Sequence, residues 1–209
     1  MRIINPSFEI LTPIDGKKVL QIIEYCSRTC YQSYDKQTED SCYKFIKMLM
    51  EKRHESCFEH FSFSVKFIVD RAIQNELVRH RLASFCVESS RYCNFSKDKF
   101  GNEITVIKPF FFEEGSVEYE HWHKAMIDAE NAYMFLISTS KPEEARSVLP
   151  LSLKTELVMT ANIREWRTIL KQRTTPFCHP QMRQIMIPLL KELKQKIPIV
   201  FDDIIIEEN

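Results

Sequence analysis

Glycine is scarce in this chain, and its scarcity excludes two common kinds of nucleotide site. Only three glycines occur in 209 residues, at positions 16, 101 and 115. A dinucleotide fingerprint needs three glycines within six residues, and a P-loop needs two glycines ahead of a lysine. Neither motif can be built here. Any bound nucleotide must therefore be held by side chains and not by a glycine-rich turn.

Long apolar runs and an excess of one charge are also absent. No run approaches the roughly 20 residues that span a bilayer, and the N-terminus lacks the apolar core of a signal peptide. Lys+Arg and Asp+Glu both number 29, so the net charge is zero. Balanced charge favours neither nucleic acid nor a membrane surface as a partner. We therefore expect neither, and we expect any phosphate to be held by local arginines.

The cysteines and histidines show no metal-binding or disulfide pattern. Seven cysteines form no C-x-x-C pair, which is typical of reduced thiols in a cytoplasmic protein. His54 and His60 are six residues apart and His121 and His123 are two apart, so neither pair shares the helix face that a zinc motif uses. We predict no metal site. The alternative for residues 54–60 is a hydrogen-bonded turn before a strand.

Hydrophobic periodicity predicts an α+β fold. Strict alternation predicts strands at 60–69 and 153–161, and shorter strands are expected at 8–11 and 104–107. Asn162 is a good N-cap for a helix that ends before Thr174-Thr175-Pro176. Further helices are predicted at 17–27, 39–52, 71–78, 116–138, 141–149 and 180–194. No linker interrupts them, so we expect a single domain over residues 1–209, with a mixed, largely antiparallel sheet flanked by helices.

The segment Arg79-His80-Arg81 carries two arginines and a titratable imidazole in adjacent positions. We expect it in the last turn of the helix predicted at 71–78, where cations complement the helix dipole. Neighbouring helical residues are about 100° apart, so the three side chains should fan outward and serve several ligand groups. The alternative is an ordinary solvated helix end.

A serine and an arginine follow closely, at Ser89 and Arg91. If the chain after Ser84 is extended, these two side chains lie on one side of it. A hydroxyl and a guanidinium placed together form a plausible phosphate clamp. The alternative is that Arg91 only pairs with a local carboxylate such as Glu88.

The full spacing is more specific than its parts. Arg-His-Arg, seven residues, Ser, and Arg two positions later resembles the signature of the flavin-dependent thymidylate synthases. The segments 54–60, 146–153 and 162–173 resemble other motifs of that family. The resemblance runs from about His54 to Arg183, in order and with matching spacing.

The resemblance implies a reductive methylation of dUMP to dTMP. FAD, reduced by NADPH, would supply the hydride, and 5,10-methylene-tetrahydrofolate would supply the carbon. The family builds its sites between the subunits of a homotetramer. The positions matched to flavin contacts are His54, Ser56, Arg79, His80, Arg81, Asn162 and Arg164. The positions matched to dUMP contacts are Glu76, Arg79, Ser89, Ser90, Arg91, Arg146 and Arg173, of which Ser89 and Arg173 are implied to be catalytic.

Some positions depart from the family pattern. Cys86 and Val87 stand where many members carry polar residues, Glu76 where some members have a glutamine, and Phe177 where some have a histidine. Two other functions are therefore kept open. One is a cysteine-dependent methylating enzyme with Cys86 as nucleophile among basic neighbours. The other is a nucleotide-binding or scaffold protein without flavin, which a colourless purified protein would indicate.

Overall fold

The computed structural model describes residues 1–207 of the chain. The last two residues of the predicted domain, Glu208 and Asn209, lie outside the described residues. In chain order the strands and α-helices are β1 (Arg2–Ile4), β2 (Ser7–Ile10), α1 (Gly16–Arg28), α2 (Ser41–Glu51), β3 (Ser62–Asp70), α3 (Arg71–Leu77), β4 (Ser84–Val87), β5 (Thr105–Ile107), α4 (Val117–Thr139), α5 (Pro142–Ala145), β6 (Lys154–Asn162), α6 (Ile163–Arg173) and α7 (Pro180–Lys196). Five 3-10 helices also occur in the described residues, at Thr29–Tyr31, Tyr34–Lys36, Glu55–His60, Asp98–Phe100 and Arg146–Val148. None of the helices within residues 1–207 has both the length and the apolar composition needed to cross a bilayer.

Four strands form the main sheet, in the order β2-β3-β6-β4, and β1 pairs with β5 in parallel. The strands β3 and β6 run in opposite directions. The Ile163 N–H donates to the Phe61 carbonyl, and the Arg71 N–H donates to the Leu153 carbonyl, so residue numbers rise along one strand as they fall along the other. The predicted α+β class with its antiparallel sheet and helices is confirmed.

Alternation along β3 and β6 explains why these two strands form. In β3 the side chains of Phe63, Val65, Phe67 and Val69 are buried. In β6 the inward positions are equally regular, and they are Thr155, Leu157, Met159 and Ala161. Burying every second side chain fits one face of a pleated strand. Both strands were predicted from this pattern alone.

The chain divides into two compact units. The first unit comprises Met1–Ser7, Lys66–Arg79 and Phe85–Val158, and the second comprises Phe8–Val65, His80–Ser84 and the chain from Met159 onward. The prediction of one domain over residues 1–209 stays a prediction.

Each unit has its own apolar core. In the first unit Phe95, Tyr133 and Leu153 belong to one buried cluster, and the Tyr133 hydroxyl accepts the Phe95 N–H at 3.2 Å. In the second unit the Trp166 ring stacks on Phe63 at 5.1 Å, and its indole N–H donates to the Phe63 carbonyl at 3.2 Å. Burying a tryptophan with its one donor paired avoids a desolvation penalty.

Helix α3 ends earlier than the sequence predicts. It stops at Leu77, with Val78 as its C-cap, so 79–81 lie beyond the helix and not in its last turn. The Arg79 N–H donates to the Glu76 carbonyl at 3.2 Å, which is the tighter bonding of a helix end. His80 is then buried, at 7% exposure. Tertiary contacts of this one side chain override the local helical pattern.

The chain after Ser84 is extended only as far as Val87. Beyond it the N–H groups of Tyr92 and Cys93 both donate to the Ser89 carbonyl, at 3.1 and 2.9 Å. The Arg91 N–H also donates to the Ser89 hydroxyl at 3.3 Å. Serine hydroxyls favour such turns because they bond the backbone two residues on. The prediction that Ser89 and Arg91 share one side of an extended strand is wrong.

Candidate active site

A cavity of about 600 Å³ lies in the second unit. Three of the predicted flavin positions, His54, Ser56 and Arg164, line it together. Its apolar wall includes Tyr31, Phe45, Met48 and Leu49. This volume and mixture of polar and apolar groups are those of sites that hold cofactors. The residues present therefore fit a flavin nucleotide.

A sharp end to α2 places His54 at this cavity. Arg53 adopts a left-handed conformation, with φ of 54°, although it is not a glycine. This turn lets the His54 N–H donate to the Leu49 carbonyl at 2.9 Å. Non-glycine residues with positive φ are uncommon and cost conformational energy. The 3-10 helix Glu55–His60 follows, as the hydrogen-bonded alternative for this segment anticipated.

Arg164 reaches the cavity from the first turn of α6. Its Nη1 donates to the Glu59 carboxylate at 2.5 Å, and its Nε lies 3.7 Å from the Glu55 carboxylate. Both acids belong to the same 3-10 helix as Ser56. The exposed ion pairs thus hold two of the motifs together inside the second unit. Asn162 acts from the start of the same helix, because its side chain accepts the Glu165 N–H at 2.9 Å as the predicted N-cap.

A second cluster of the second unit joins His80 to Arg173. The Arg173 Nε donates to the His80 Nε2 at 3.0 Å. The other ring nitrogen of His80 lies 3.8 Å from the Glu165 carboxylate. His80 and Glu165 are each only 7% exposed. An imidazole and a carboxylate from distant parts of the chain therefore meet beside a predicted catalytic arginine.

Burial controls the protonation of this cluster. Burial and, to a smaller extent, the positive charge of Arg173 together lower the pKa of His80 to about 4. Burial also raises the pKa of the Glu165 carboxyl. Low-dielectric surroundings disfavour the charged form of either group. His80 is therefore a neutral imidazole at physiological pH and can accept a hydrogen bond from Arg173.

The predicted nucleotide positions Ser89, Ser90 and Arg91 form a turn of the first unit, in which the two serines are half-buried and Arg91 is exposed. The Arg91 Nε donates to the Glu143 carboxylate at 3.1 Å. The alternative was a local carboxylate such as Glu88; Arg91 does pair with a carboxylate, but the acid is Glu143 and not Glu88. The Glu88 carboxylate instead accepts from Lys154 at 2.9 Å. Arg91 reaches α5 because the turn at Ser89 redirects the chain, which strand periodicity did not anticipate.

Arg71 is a cation near this turn that sequence reasoning missed. Its Nη1 donates to the Glu88 carbonyl at 3.0 Å, immediately before Ser89. Its Nη2 is buried and has no hydrogen-bond partner among the described residues. Burial lowers the pKa of Arg71, and the charge of Arg146 lowers it as well. One signal could have revealed it, since Arg71 begins α3, at the end of a helix where the dipole disfavours a cation.

The remaining predicted positions differ in their exposure to solvent. Arg79 and Arg81 are exposed whereas His80 between them is buried. Because the three residues lie beyond α3, the fan that helix geometry predicted for them stays a prediction. Glu76 is partly buried in α3, and Arg146 is exposed in a 3-10 helix. The assignment of each position to flavin or nucleotide stays a prediction.

Three of the four positions that depart from the family pattern are exposed, and Glu76 is partly buried. Phe177 is 99% exposed, and Cys86 and Val87 lie on the exposed part of β4. Among the residues that the structure describes, no group of three histidine, cysteine or acidic side chains is placed to hold a metal ion.

Similarity to known proteins covers almost the whole chain. The sequence pattern of the family described as "Thymidylate synthase complementing protein" matches residues 14–199. A flavin-dependent thymidylate synthase of Corynebacterium aurimucosum is 29% identical over 201 residues, which cover 87% of this chain and 78% of that protein.

Two solved structures share the fold. The UMP/dUMP methylase PolB from Streptomyces cacaoi, bound with 5-Br dUMP, gives a TM-score of 0.78 at 20% identity, covering 97% of this chain and 96% of that one. Thymidylate Synthase X from Helicobacter pylori, with FAD and dUMP, gives a TM-score of 0.75 at 24% identity, covering 95% and 98%. The chain therefore belongs to the Thymidylate synthase complementing protein family, the flavin-dependent thymidylate synthases.

Proposed function

We propose that this protein converts dUMP to dTMP by reductive methylation, as a flavin-dependent thymidylate synthase. Family membership supports the reaction. The observation that carries it to this chain is the cavity at which His54, Ser56 and Arg164 meet from two separate motifs. 5,10-methylene-tetrahydrofolate is the carbon donor and NADPH the reductant.

FAD fits the cavity of the second unit. When bound, it supplies the hydride of the reaction, as cofactors generally supply the difficult chemistry. His54 and Ser56 offer polar contacts, and Arg164 offers a cation that can meet a phosphate. The apolar side chains that line the cavity would exclude water from the flat flavin ring. We assign Arg79, His80, Arg81 and Asn162 to the same flavin-binding set on the strength of the family match.

The substrate phosphate is assigned to the turn of the first unit. Arg91 and Arg146 are exposed arginines, and Ser89 and Ser90 add hydroxyls. Arginine binds phosphate through a planar fork of donors, so a phosphate can replace the Glu143 carboxylate on Arg91. We assign Glu76 and Arg79 to the same nucleotide set, and Ser89 and Arg173 to the reacting end of the substrate.

We further propose that the chain acts as a cytoplasmic homotetramer, each subunit one functional domain, with sites between subunits. The exposure of Arg79 and Arg81 supports this assembly, because exposed side chains enclose a ligand only when other surfaces close over it. Mass measurement of the native protein tests the subunit number.

A visible spectrum of the purified protein is the first test. Bound flavin should give a yellow protein with absorption near about 450 nm. His54→Ala should lose flavin, whereas His60→Ala is the matched control, since His60 is exposed on the same 3-10 helix and does not line the cavity. Flavin-loaded protein should then form dTMP from dUMP. A colourless protein that binds dUMP would instead support the scaffold alternative.

The cysteine-dependent alternative gains no support from the surroundings of Cys86. The cavity beside it is lined by Lys66, Lys154, Glu88 and Glu156 among others. Both lysines are already paired with these acids, at 2.6–2.9 Å. A nucleophilic thiolate needs a free positive neighbour or a general base.

A further inference from the structure

One buried carboxylate of the second unit has no role in the proposed reaction. Glu165 lies on the first turn of α6, where its backbone N–H bonds to the Asn162 cap. Its side-chain carboxylate lies 3.8 Å from the His80 Nδ1. A charged group is costly to bury, so a carboxylate kept here needs a compensating interaction.

The hydrogen bond from Arg173 identifies the tautomer of His80. An arginine N–H can only donate, so the His80 Nε2 at 3.0 Å must be the unprotonated acceptor. The ring proton is then on Nδ1, which is the nitrogen that faces Glu165. At 3.8 Å the contact is electrostatic and longer than a hydrogen bond. A carboxylate stabilises this tautomer because its negative charge faces the N–H dipole.

The same bond sets the direction of the arginine. It engages the Nε–H of the guanidinium, so it constrains the direction in which this planar group points. Arg173 is the residue that the proposed function places at the reacting end of the nucleotide. Small errors in the direction of such a group are costly, because catalysis depends on geometry.

We propose that Glu165 is a positioning residue: it holds His80 in the tautomer that accepts from Arg173, and so directs the Arg173 guanidinium toward the nucleotide. The direction of Arg173 toward the nucleotide rests on the proposed function. Glu165 touches neither substrate nor cofactor in this scheme. Glu165 orients His80, and His80 in turn orients Arg173. A buried acid orients a histidine in the same way in a catalytic triad.

Nitrogen NMR of ring-labelled histidine tests the first part of the proposal, the effect of Glu165 on the His80 tautomer, and needs no measurement of enzyme activity. Six histidines are present, and the signals lost in His80→Gln identify His80. In the wild type His80 should carry its proton on Nδ1. Glu165→Met removes the negative group that faces Nδ1 at similar volume and should move the proton toward Nε2. Glu165→Gln should keep it on Nδ1, because the negative end of the amide C=O dipole can still face the N–H.

Kinetics with dUMP test the second half. Glu165→Met should lower kcat/KM for dUMP about tenfold, and Glu165→Gln by less than about threefold, at about 1.4 kcal/mol per decade. In a His80→Gln background the glutamine oxygen accepts from Arg173 whatever stands at position 165. Glu165→Met should then cause no further loss, which a double-mutant cycle measures.

Asp203→Asn is the matched control for a structural role. Asp203 pairs with Arg167, also on α6, at 2.7 and 2.8 Å. Its loss should lower Tm without changing kcat/KM. If Glu165→Met behaves in the same way, or leaves the proton on Nδ1, the proposal is overturned. If the wild type forms no dTMP, the proposed function fails, and the NMR signals alone then decide the role of Glu165.

Discussion

Two arginines of this protein, Arg91 in the first unit and Arg173 in the second, are held in opposite ways. The Arg91 side chain is 56% exposed, and its partner Glu143 is 42% exposed. Arg173 donates instead to a histidine that is 7% exposed. Exposed ion pairs contribute little free energy, whereas a buried acceptor left without its donor is costly. Arg91 can therefore exchange Glu143 for a ligand at little cost in free energy. Breaking the bond between Arg173 and His80 costs more.

The contrast suits two different tasks. A phosphate-binding arginine must release its resting partner each time the substrate arrives, so a weak and exposed pair is an advantage. An arginine at the reacting end must keep one direction, so a buried bond is an advantage. The following predictions test whether this division holds.

Arg173→Ala should have the largest effect. It removes a proposed contact to the nucleotide and leaves the His80 Nε2 without the donor seen at 3.0 Å. We expect kcat/KM for dUMP to fall about a hundredfold or more, together with a lower Tm, since an unsatisfied buried acceptor costs about 1–3 kcal/mol. Lys171→Ala is the control from the same helix, because Lys171 is exposed and pairs with Asp203. Equal kcat/KM values for Arg173→Ala and Lys171→Ala would contradict the role assigned to Arg173.

Acid should destabilise the protein through His80. The unfolded histidine takes up a proton near pH 6.5, whereas the folded one does so only near its pKa of about 4. Between these values the unfolded state binds more protons, so stability is lost as pH falls from 6.5 to 4. The loss should approach about 3 kcal/mol, at about 1.4 kcal/mol per unit. The free energy of unfolding, measured by denaturant titration at several pH values, should fall more between pH 6.5 and 4 in the wild type than in His80→Gln. An equal fall in both proteins would contradict the prediction.

Arg91→Ala should weaken dUMP binding about ten- to hundredfold, because a hydrogen bond to an ionised partner contributes about 1.5–3 kcal/mol. Its Tm should hardly change, since the Glu143 pair is exposed. Glu143→Gln should bind dUMP at least as tightly as the wild type, because a competing carboxylate is gone. Deoxyuridine, which lacks the phosphate, should bind wild type and Arg91→Ala about equally. Unchanged dUMP affinity in Arg91→Ala would move the phosphate site elsewhere.

Cys86→Ser should have the smallest effect. The thiol is exposed on β4 and makes no required contact in the proposed reaction. We expect dTMP formation within about tenfold of the wild type, measured at saturating substrates. A loss of several orders of magnitude, or a covalent adduct on Cys86, would favour the cysteine-dependent mechanism.

Local pattern was enough to predict most of the elements. The strands β3 and β6 were found because burial alternates along them with the period of a pleated strand. The N-cap at Asn162 was found because a short polar side chain can bond its own helix start. The order and spacing of the motifs were enough to identify the family. These are properties of neighbouring residues, so one sequence contains them.

Contacts between distant residues decided the rest. His80 is buried beside Arg173 and Glu165, which lie more than eighty positions away, and α3 ends at Leu77 shortly before it. The turn at Ser89 and the reach of Arg91 to Glu143 likewise have no periodic signal. The sequence by itself determined which segments are strands, helices and motifs, because those follow from local periodicity and spacing. Only the tertiary structure decided which charges meet and which are buried, because pairing and desolvation depend on the packing of the folded chain.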